Sequence, residues 1–185
     1  MSARWLFAWV GMLAALAGTG LWVATRPASS AAASVGAAPA ALFAASFRDT
    51  EGRSRSLGEF HGKVVVLNFW ATWCAPCREE MPAFQRLQER WGERGVQFVG
   101  ISAEEGAKVA AFAKGLGVRY PLWVGGDEVS ELSRRLGNRD GVLPHTVVLD
   151  PEGRPISARV GTYKERELEQ LLEGAAGNVG QKRRT

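Results

Sequence analysis

The stretch KVVVLNFWATWCAPC, Lys63 to Cys77, joins a nearly continuous apolar run to the two cysteines of the chain. Its first half, up to Trp70, is almost entirely β-branched or aromatic, which is typical of a strand buried on both faces. The segment that begins at Cys77 instead repeats its apolar residues at helical spacing. These residues are Met81, Phe84, Leu87 and Trp91. The stretch therefore predicts a buried strand that leads directly into an amphipathic helix, with the cysteines at the junction.

Strand and helix patterns alternate over the rest of the chain. Residues 42–57 predict a β-hairpin around the turn at Asp49–Gly52. Further strands are predicted at VQFVGIS, YPLWVG, PHTVVLD and ISARVG, and further helices at EEGAKVAAFAKGLG, DEVSELSRRLG and YKERELEQLLEG. The order is a βαβα half followed by a ββα half, which implies an α/β fold with a mixed sheet covered by helices on both faces. We expect parallel pairing in the first half and an antiparallel hairpin at the end.

The N-terminal region differs in composition from the rest. Residues 5–25 contain no charge, and as a helix at about 1.5 Å per residue they would span roughly 31 Å, close to the hydrocarbon thickness of a bilayer. We predict a transmembrane anchor or signal sequence at 5–25, an Ala/Ser/Pro-rich linker at 26–41, a folded domain at 42–176 and a basic disordered tail at 177–185. An uncleaved anchor is preferred over a signal cleaved near SSAAAS. The flanking Arg4 and Arg26 barely decide the orientation, and we expect the domain to be exported.

The charge pattern argues against nucleic-acid binding. The net charge is +4, and the longest block of basic residues is KRR at Lys182 to Arg184. A short basic run at a terminus is typical of a solvated tail. We therefore predict no nucleic-acid partner.

The position of the cysteines suggests reactivity. A Cys74 thiolate at the start of a helix faces unpaired backbone N–H groups and the positive end of the helix dipole, which lower the pKa of a thiol. Cys77 lies three residues later on the same face, a separation compatible with a disulfide. Pro76 suits the first turn, where a missing N–H costs little.

Several chemistries compete for this pair. A structural staple closing so small a loop would add only roughly 2 kcal/mol, and a chain of this size builds its own core. A closed zinc site needs four ligands, whereas the only histidines, His61 and His145, are far apart in sequence. Reversible dithiol exchange is the preferred interpretation. A copper-handling site that uses both thiolates and His145 stays open.

The chain resembles the thioredoxin superfamily, and within it the membrane-tethered TlpA/ResA-type thiol:disulfide oxidoreductases. The resemblance is carried by WCAPC after VVVLNFWAT, by Pro82 after the cysteines and by LPHT further on, and it covers about Leu42 to Gly174. It implies a thioredoxin fold with an N-terminal β-hairpin and a central βα insertion.

The resemblance also implies roles for individual residues. Cys74 would be the exposed nucleophile and Cys77 the buried resolving thiol. Pro144 would be the family's cis-proline beside the disulfide, and Leu143 would offer backbone groups to a substrate. Trp73 would shield the disulfide and give the substrate a flat apolar contact, with core packing as the alternative.

Three further positions bear on acid–base chemistry and specificity. Asn68 stands where thioredoxin has a buried aspartate, so Glu80 is the expected proton acceptor, unless it is a solvated surface charge. His145 stands where the family often has threonine. It is either a packing residue or a substrate-binding residue that biases the thiolate or narrows the choice of partner.

The function implied is an extracytoplasmic, periplasmic disulfide reductase that uses Cys74 and Cys77 on targets such as apocytochrome c or copper-site assembly proteins. It would be anchored in the membrane by its N-terminal segment and re-reduced by a membrane-embedded electron donor, with no cofactor and no metal. Alternatives are a copper-binding assembly partner, a disulfide oxidase or isomerase, and a peroxiredoxin-type peroxidase. Peroxidases of the peroxiredoxin type normally lack a CxPC motif flanked by tryptophan. The absence of the GxPET pattern that is common in the cytochrome c maturation group makes a dedicated haem-maturation role less favoured, while cytochrome c biogenesis stays among the expected processes.

Overall fold

The computed structural model describes residues 39–182. The predicted anchor or signal at 5–25, most of the predicted linker and the last three residues lie outside this range. No helix among the described residues is long and apolar enough to cross a bilayer.

Strands and helices alternate in the order that the sequence predicts. The strands are β1 Ser46–Asp49, β2 Ser54–Ser56, β3 Val64–Phe69, β4 Val96–Ser102, β5 Leu122–Val124, β6 His145–Leu149 and β7 Pro155–Val160. The α-helices are α1 Pro39–Phe43, α2 Ala75–Trp91, α3 Gly106–Gly115, α4 Asp127–Arg135 and α5 Glu165–Lys182. Short 3-10 helices span Leu57–Phe60 and Gly92–Arg94.

The strands form one mixed sheet in the order β2-β1-β5-β4-β3-β6-β7. β3 pairs in parallel with β4, and β4 in parallel with β5. The β1–β2 and β6–β7 hairpins and the β3–β6 pair are antiparallel. The predicted mixed sheet and the N-terminal hairpin are confirmed. β5 lies between β1 and β4 in the sheet, and the predicted central βα insertion stays a prediction.

β3 lies at the centre of the sheet and is buried on both faces, as its composition predicts. Val64 and Val66 belong to an apolar cluster on one face together with both cysteines and α2. Val65, Leu67 and Phe69 belong to a cluster on the other face. Successive side chains of a strand point to opposite faces, so the apolar residues at every position of β3 except Asn68 serve both layers.

α2 buries the apolar residues that predicted it. Met81, Phe84, Leu87 and Trp91 are at most 1% exposed. Pro82 lies inside this helix and is tolerated there, although a proline cannot donate the usual hydrogen bond to the carbonyl four residues earlier. The buried face of α2 packs in the same apolar cluster as both cysteines, so the β3–α2 junction that carries them is held against the core.

Two boundaries differ from the prediction. Residues 39–41, assigned to the linker, begin helix α1, because Leu42 in its last turn is fully buried. Helix α5, expected to end at Gly174, continues to Lys182, so residues 177–182 of the predicted disordered tail are helical. Gly174 costs the helix about 1 kcal/mol relative to alanine. The contacts of Ala175 and Ala176 with the core favour its continuation.

Candidate active site

The end of β3 and the start of α2 hold the two cysteines together. Cys74 and Cys77 form a disulfide with their Cα atoms 5.3 Å apart. Cys74 is the N-cap residue of α2, and its sulfur accepts a hydrogen bond from the backbone N–H of Cys77 at 3.3 Å. The disulfide-compatible spacing is therefore confirmed, and in the reduced protein the same N–H is placed to stabilise a Cys74 thiolate.

The two sulfur-bearing residues differ in access. Cys74 is 5% exposed and Cys77 is fully buried. Cys74 is the more accessible of the two cysteines, as the resemblance implies. It is nevertheless nearly buried, whereas the resemblance implies an exposed nucleophile. The exposed neighbour is Trp73, with 70% of its surface accessible. Trp73 does not pack in the core, so the alternative of a core tryptophan is wrong, and any partner that approaches Cys74 meets this ring.

A groove of about 400 Å³ lies beside Trp73. It is lined by the β3–α2 junction, the end of β4, helix α4 and the loop before β6. In that loop, Leu143 is half-buried and packs against the cluster that contains both cysteines. The Leu143–Pro144 peptide bond is cis, as the resemblance implies, and Pro144 is buried. Leu143 of this loop and Trp73 thus line one groove.

Glu104 holds the residue before Trp73. Its carboxylate accepts hydrogen bonds from the backbone N–H of Thr72 at 2.6 Å and from the Thr72 hydroxyl at 2.8 Å. Burial alone would raise the pKa of Glu104, but the bonds from Lys108 and Thr72 outweigh it and lower the pKa. The carboxylate is therefore charged at neutral pH and ties the β3–α2 junction to the end of β4.

A buried carboxyl lies one turn beyond Cys77. Glu80 is only 4% exposed, which rules out a solvated surface charge. Its two oxygens accept hydrogen bonds from Asn68 Nδ2 at 3.0 Å and from the Tyr163 backbone N–H at 3.1 Å. Burial raises the pKa of Glu80 from 4.5 to about 7, although both bonds oppose the rise. Asn68, at 1% exposed, also donates to Thr146 Oγ1 at 2.9 Å.

His145 is a buried residue and not part of the surface. It is 1% exposed, and its ring stacks on Phe69 with centroids 5.4 Å apart. Ser133 Oγ lies 3.0 Å from His145 Nδ1. Burial lowers the pKa of His145 from 6.5 to about 4, so the ring is neutral at physiological pH. The expectation that this side chain contacts a substrate needs correction, because the ring is buried and not exposed for such a contact.

Sequence reasoning missed the residues that hold the groove in shape. Among them are Thr72, Glu104, Ser133 and Asn138. For Glu104 a signal existed, because β3 and β4 are parallel neighbours whose carboxyl ends share one edge of the sheet. For Ser133 and Asn138 the sequence contained no such signal, since their hydrogen-bond partners depend on how α4 packs. The described residues contain no cluster of three or more His, Cys, Asp or Glu side chains that could hold a metal ion.

The comparison with protein families agrees with this geometry. The model of the AhpC/TSA family matches residues 37–154. The chain belongs to this family. Among curated proteins it is similar to the thiol-disulfide oxidoreductase ResA of Bacillus thuringiensis subsp. konkukian, with 33% identity over 126 residues that cover 68% of this chain and 70% of the relative. It is also similar to the thioredoxin-like protein YneN of Bacillus subtilis, with 35% identity over 133 residues, 69% of this chain and 74% of the relative.

A solved structure gives the same result. The thiol:disulfide interchange protein of the thioredoxin family from Chlorobium tepidum aligns with a TM-score of 0.64 and 30% identity, over 71% of this chain and 92% of that one. The predicted thioredoxin-like fold is confirmed, as is the similarity to ResA-type proteins. With the Cys74–Cys77 disulfide at the end of β3, the protein is a thiol:disulfide oxidoreductase.

Proposed function

We propose that the protein is an extracytoplasmic disulfide reductase that transfers two electrons from the Cys74–Cys77 dithiol to disulfides in other proteins. The observation that carries this proposal is the redox pair at the N-terminus of α2 with the buried carboxyl of Glu80 one turn further along the helix. A helix N-terminus stabilises a thiolate, and a carboxyl with a pKa near neutrality exchanges protons readily.

In the first step the Cys74 thiolate attacks one sulfur of the substrate disulfide. A Cys74–substrate disulfide forms, the substrate S–S bond breaks, and the departing substrate sulfur takes up a proton. Trp73, 70% exposed, gives the approaching chain an apolar contact. Leu143 lines the same groove, and its backbone groups would hold an extended substrate segment.

In the second step the Cys77 thiol loses its proton and attacks the Cys74 sulfur. The Cys74–Cys77 bond forms, the mixed disulfide breaks, and the second substrate sulfur leaves as a thiol after protonation. Cys77 is fully buried, so bulk water reaches its proton poorly. Glu80 lies three residues later on the same helix and, with a pKa of about 7, it is the group that accepts this proton, directly or through a water molecule.

The N-terminal segment supports the proposed location, and the location in turn calls for an electron donor. The uncharged residues 5–25 support an anchored domain on the extracytoplasmic side, or secretion after cleavage. A domain in that compartment needs an electron donor that crosses or lies in the membrane. Targets of the apocytochrome c or copper-site assembly type are consistent with a reductase in this position.

The reduction potential of the Cys74–Cys77 couple tests the direction of electron flow. Equilibration of the full chain with dithiothreitol buffers should give a value near or below about −250 mV, as for reducing members of the fold. A value of about −150 mV or higher would assign an oxidase or isomerase instead.

Single cysteine variants test the order of the two steps. Cys77→Ser should accumulate a covalent complex with a disulfide-bonded substrate, because the resolving thiol is missing. Cys74→Ser should neither form that complex nor reduce the substrate. Reduction by Cys74→Ser at the wild-type rate would overturn the assignment of the nucleophile.

A further inference from the structure

The loop between α4 and β6 is held by a buried polar network outside the cysteine chemistry. The network joins Ser133, in the last turn of α4, to Asn138 in the loop and to His145 at the start of β6. All three side chains are at most 5% exposed. The loop that they hold contains Val142 and Leu143, which lead into Pro144.

Asn138 binds both backbone polar groups of Val142. Its Oδ1 accepts from the Val142 N–H at 3.0 Å, and its Nδ2 donates to the Val142 carbonyl at 2.9 Å. The same Nδ2 donates its second hydrogen to Ser133 Oγ at 3.0 Å. The Asn138 amide thus bonds the N–H and the C=O of Val142 as a neighbouring β-strand would. Both hydrogens of its Nδ2 are donated.

Ser133 passes this restraint on to β6. Its hydroxyl oxygen accepts from Asn138 Nδ2 and lies 3.0 Å from His145 Nδ1. A hydroxyl can donate to or accept from a ring nitrogen, so Ser133 links Asn138 to His145 in either tautomer of the neutral imidazole. The chain of bonds connects both ends of the Val142–Pro144 segment to α4, one through Asn138 and one through His145.

The restrained segment borders the groove beside Trp73 through Leu143. Ser133, Asn138 and Leu143 all line that groove. Val142 is 50% exposed although both of its backbone groups are bonded to Asn138. An exposed apolar side chain on a fixed backbone is suited to contact a bound polypeptide.

We propose that Ser133 and Asn138 are positioning residues that fix the Val142–Leu143 segment, of which Leu143 lines the groove, and so set the affinity of the groove for an extended polypeptide substrate. This inference rests on the proposed function. It concerns substrate binding and not the thiol chemistry, since neither residue lies in the redox motif. A loosened segment should therefore raise KM and leave the reaction with small disulfides unchanged.

The test uses the full chain with two probes. One is insulin, a disulfide-linked protein that must occupy the groove, and the other is 5,5′-dithiobis(2-nitrobenzoate), a small disulfide. The protein probe is measured in turnover with dithiothreitol as the reductant that regenerates the dithiol, and the small probe in a single turnover of the pre-reduced chain. Asn138→Ala and Ser133→Ala should raise KM for insulin about three- to tenfold, as expected for the loss of one or two restraining hydrogen bonds. The kcat for insulin and the rate with the small disulfide should stay within about twofold of wild type.

Gln85→Ala is the matched control. Gln85 is also a buried amide that holds a loop, since its Oε1 accepts from the backbone N–H groups of Arg119 and Tyr120, but it does not line the groove. The Gln85→Ala variant should lower the melting temperature as the test variants do, and it should leave the KM for insulin unchanged. If Asn138→Ala does not fold, Ser133→Ala carries the comparison alone.

The outcomes separate the two proposals. A wild-type protein that reduces neither probe overturns the proposed function and this inference with it. A wild type that reduces both, with variants that keep the wild-type KM, overturns the inference alone. An equal rise of KM in Gln85→Ala also overturns it, because general destabilisation would then explain the effect.

Discussion

Glu80 shows how one residue gains a chemical role from its position. A glutamate on a helix surface titrates near its ordinary pKa, whereas burial raises the pKa of Glu80 to about 7. Asn68 contributes by being neutral, because its amide donates a hydrogen bond to Glu80 where a second carboxylate would repel it. Of this pair only Glu80 titrates, and it lies three residues after the buried Cys77 on α2.

The second step should slow in Glu80→Gln, because an amide cannot accept the Cys77 proton. We expect the release of substrate from the mixed disulfide to slow by about 10²-fold, the lower end of general-base contributions. The attack by Cys74 should be unchanged. Stopped-flow measurement of both phases, with a fluorescent mixed-disulfide peptide, separates the two steps.

Glu79→Gln is the control for this experiment, since Glu79 precedes Glu80 on the same helix but is exposed. It should keep both rates. Release at the wild-type rate in Glu80→Gln, or equal slowing in both variants, would remove the proton-transfer role from Glu80.

Trp73 should affect binding without affecting stability. A side chain that is 70% exposed contributes little to the core, so Trp73→Ala should leave the free energy of unfolding nearly unchanged. KM for a protein substrate should rise, because the apolar contact beside Cys74 is lost. A large drop in the urea midpoint or in the melting temperature of Trp73→Ala would contradict a role in binding alone.

At the scale of elements, two loops are joined by the carboxylate of Glu104. In Glu104→Gln, one of the two oxygens that accept from Thr72 becomes an amide nitrogen, so one donor at this partly buried site loses its partner. We expect the variant to lose about 1–3 kcal/mol of unfolding free energy. Denaturant unfolding of the oxidised protein measures it.

Glu131→Gln provides the comparison, because Glu131 is exposed and forms only a long ion pair with Arg134 at 3.6 Å. Surface pairs of this kind contribute little, so stability should hardly change. Equal losses of unfolding free energy in Glu104→Gln and Glu131→Gln would show that the hydrogen bonds to Thr72 do not account for the contribution of Glu104 to stability.

The elements could be predicted where local pattern and burial agree. The apolar run of β3 and the helical spacing in α2 predicted both elements. The end of α5 was missed because Gly174 is a helix stop by local preference, while the contacts of Ala175 and Ala176 outweigh it. The restraint of Val142 by Asn138 could not be predicted, because it depends on the three-dimensional path of the loop after α4.

At the scale of the whole molecule, two buried groups give opposite pH dependences. The pKa of Glu80 is raised from 4.5 to about 7, so its contribution to stability is full below pH 4.5 and is lost as the pH rises through 7. The pKa of His145 is lowered from 6.5 to about 4, so its contribution is full above pH 6.5 and is lost as the pH falls through 4. The two slopes oppose each other between pH 4.5 and 6.5.

We therefore expect each single variant to reveal a slope that the pair conceals. Each group changes the free energy of unfolding by up to about 1.4 kcal/mol per pH unit. Relative to wild type, Glu80→Gln should gain stability as the pH rises from 4.5 to 7, because the loss caused by the carboxylate is removed. Relative to wild type, His145→Gln should gain stability as the pH falls from 6.5 to 4.

Urea unfolding of the oxidised protein at pH 4.5, 5.5, 6.5 and 7.5 measures both differences, and the other titrating groups cancel in each comparison. The double variant should return to the wild-type slope between pH 4.5 and 6.5, since both contributions are then absent. A Glu80→Gln profile parallel to wild type would mean that the carboxyl titrates near its ordinary pKa. The proton acceptor for Cys77 would then have to be sought elsewhere.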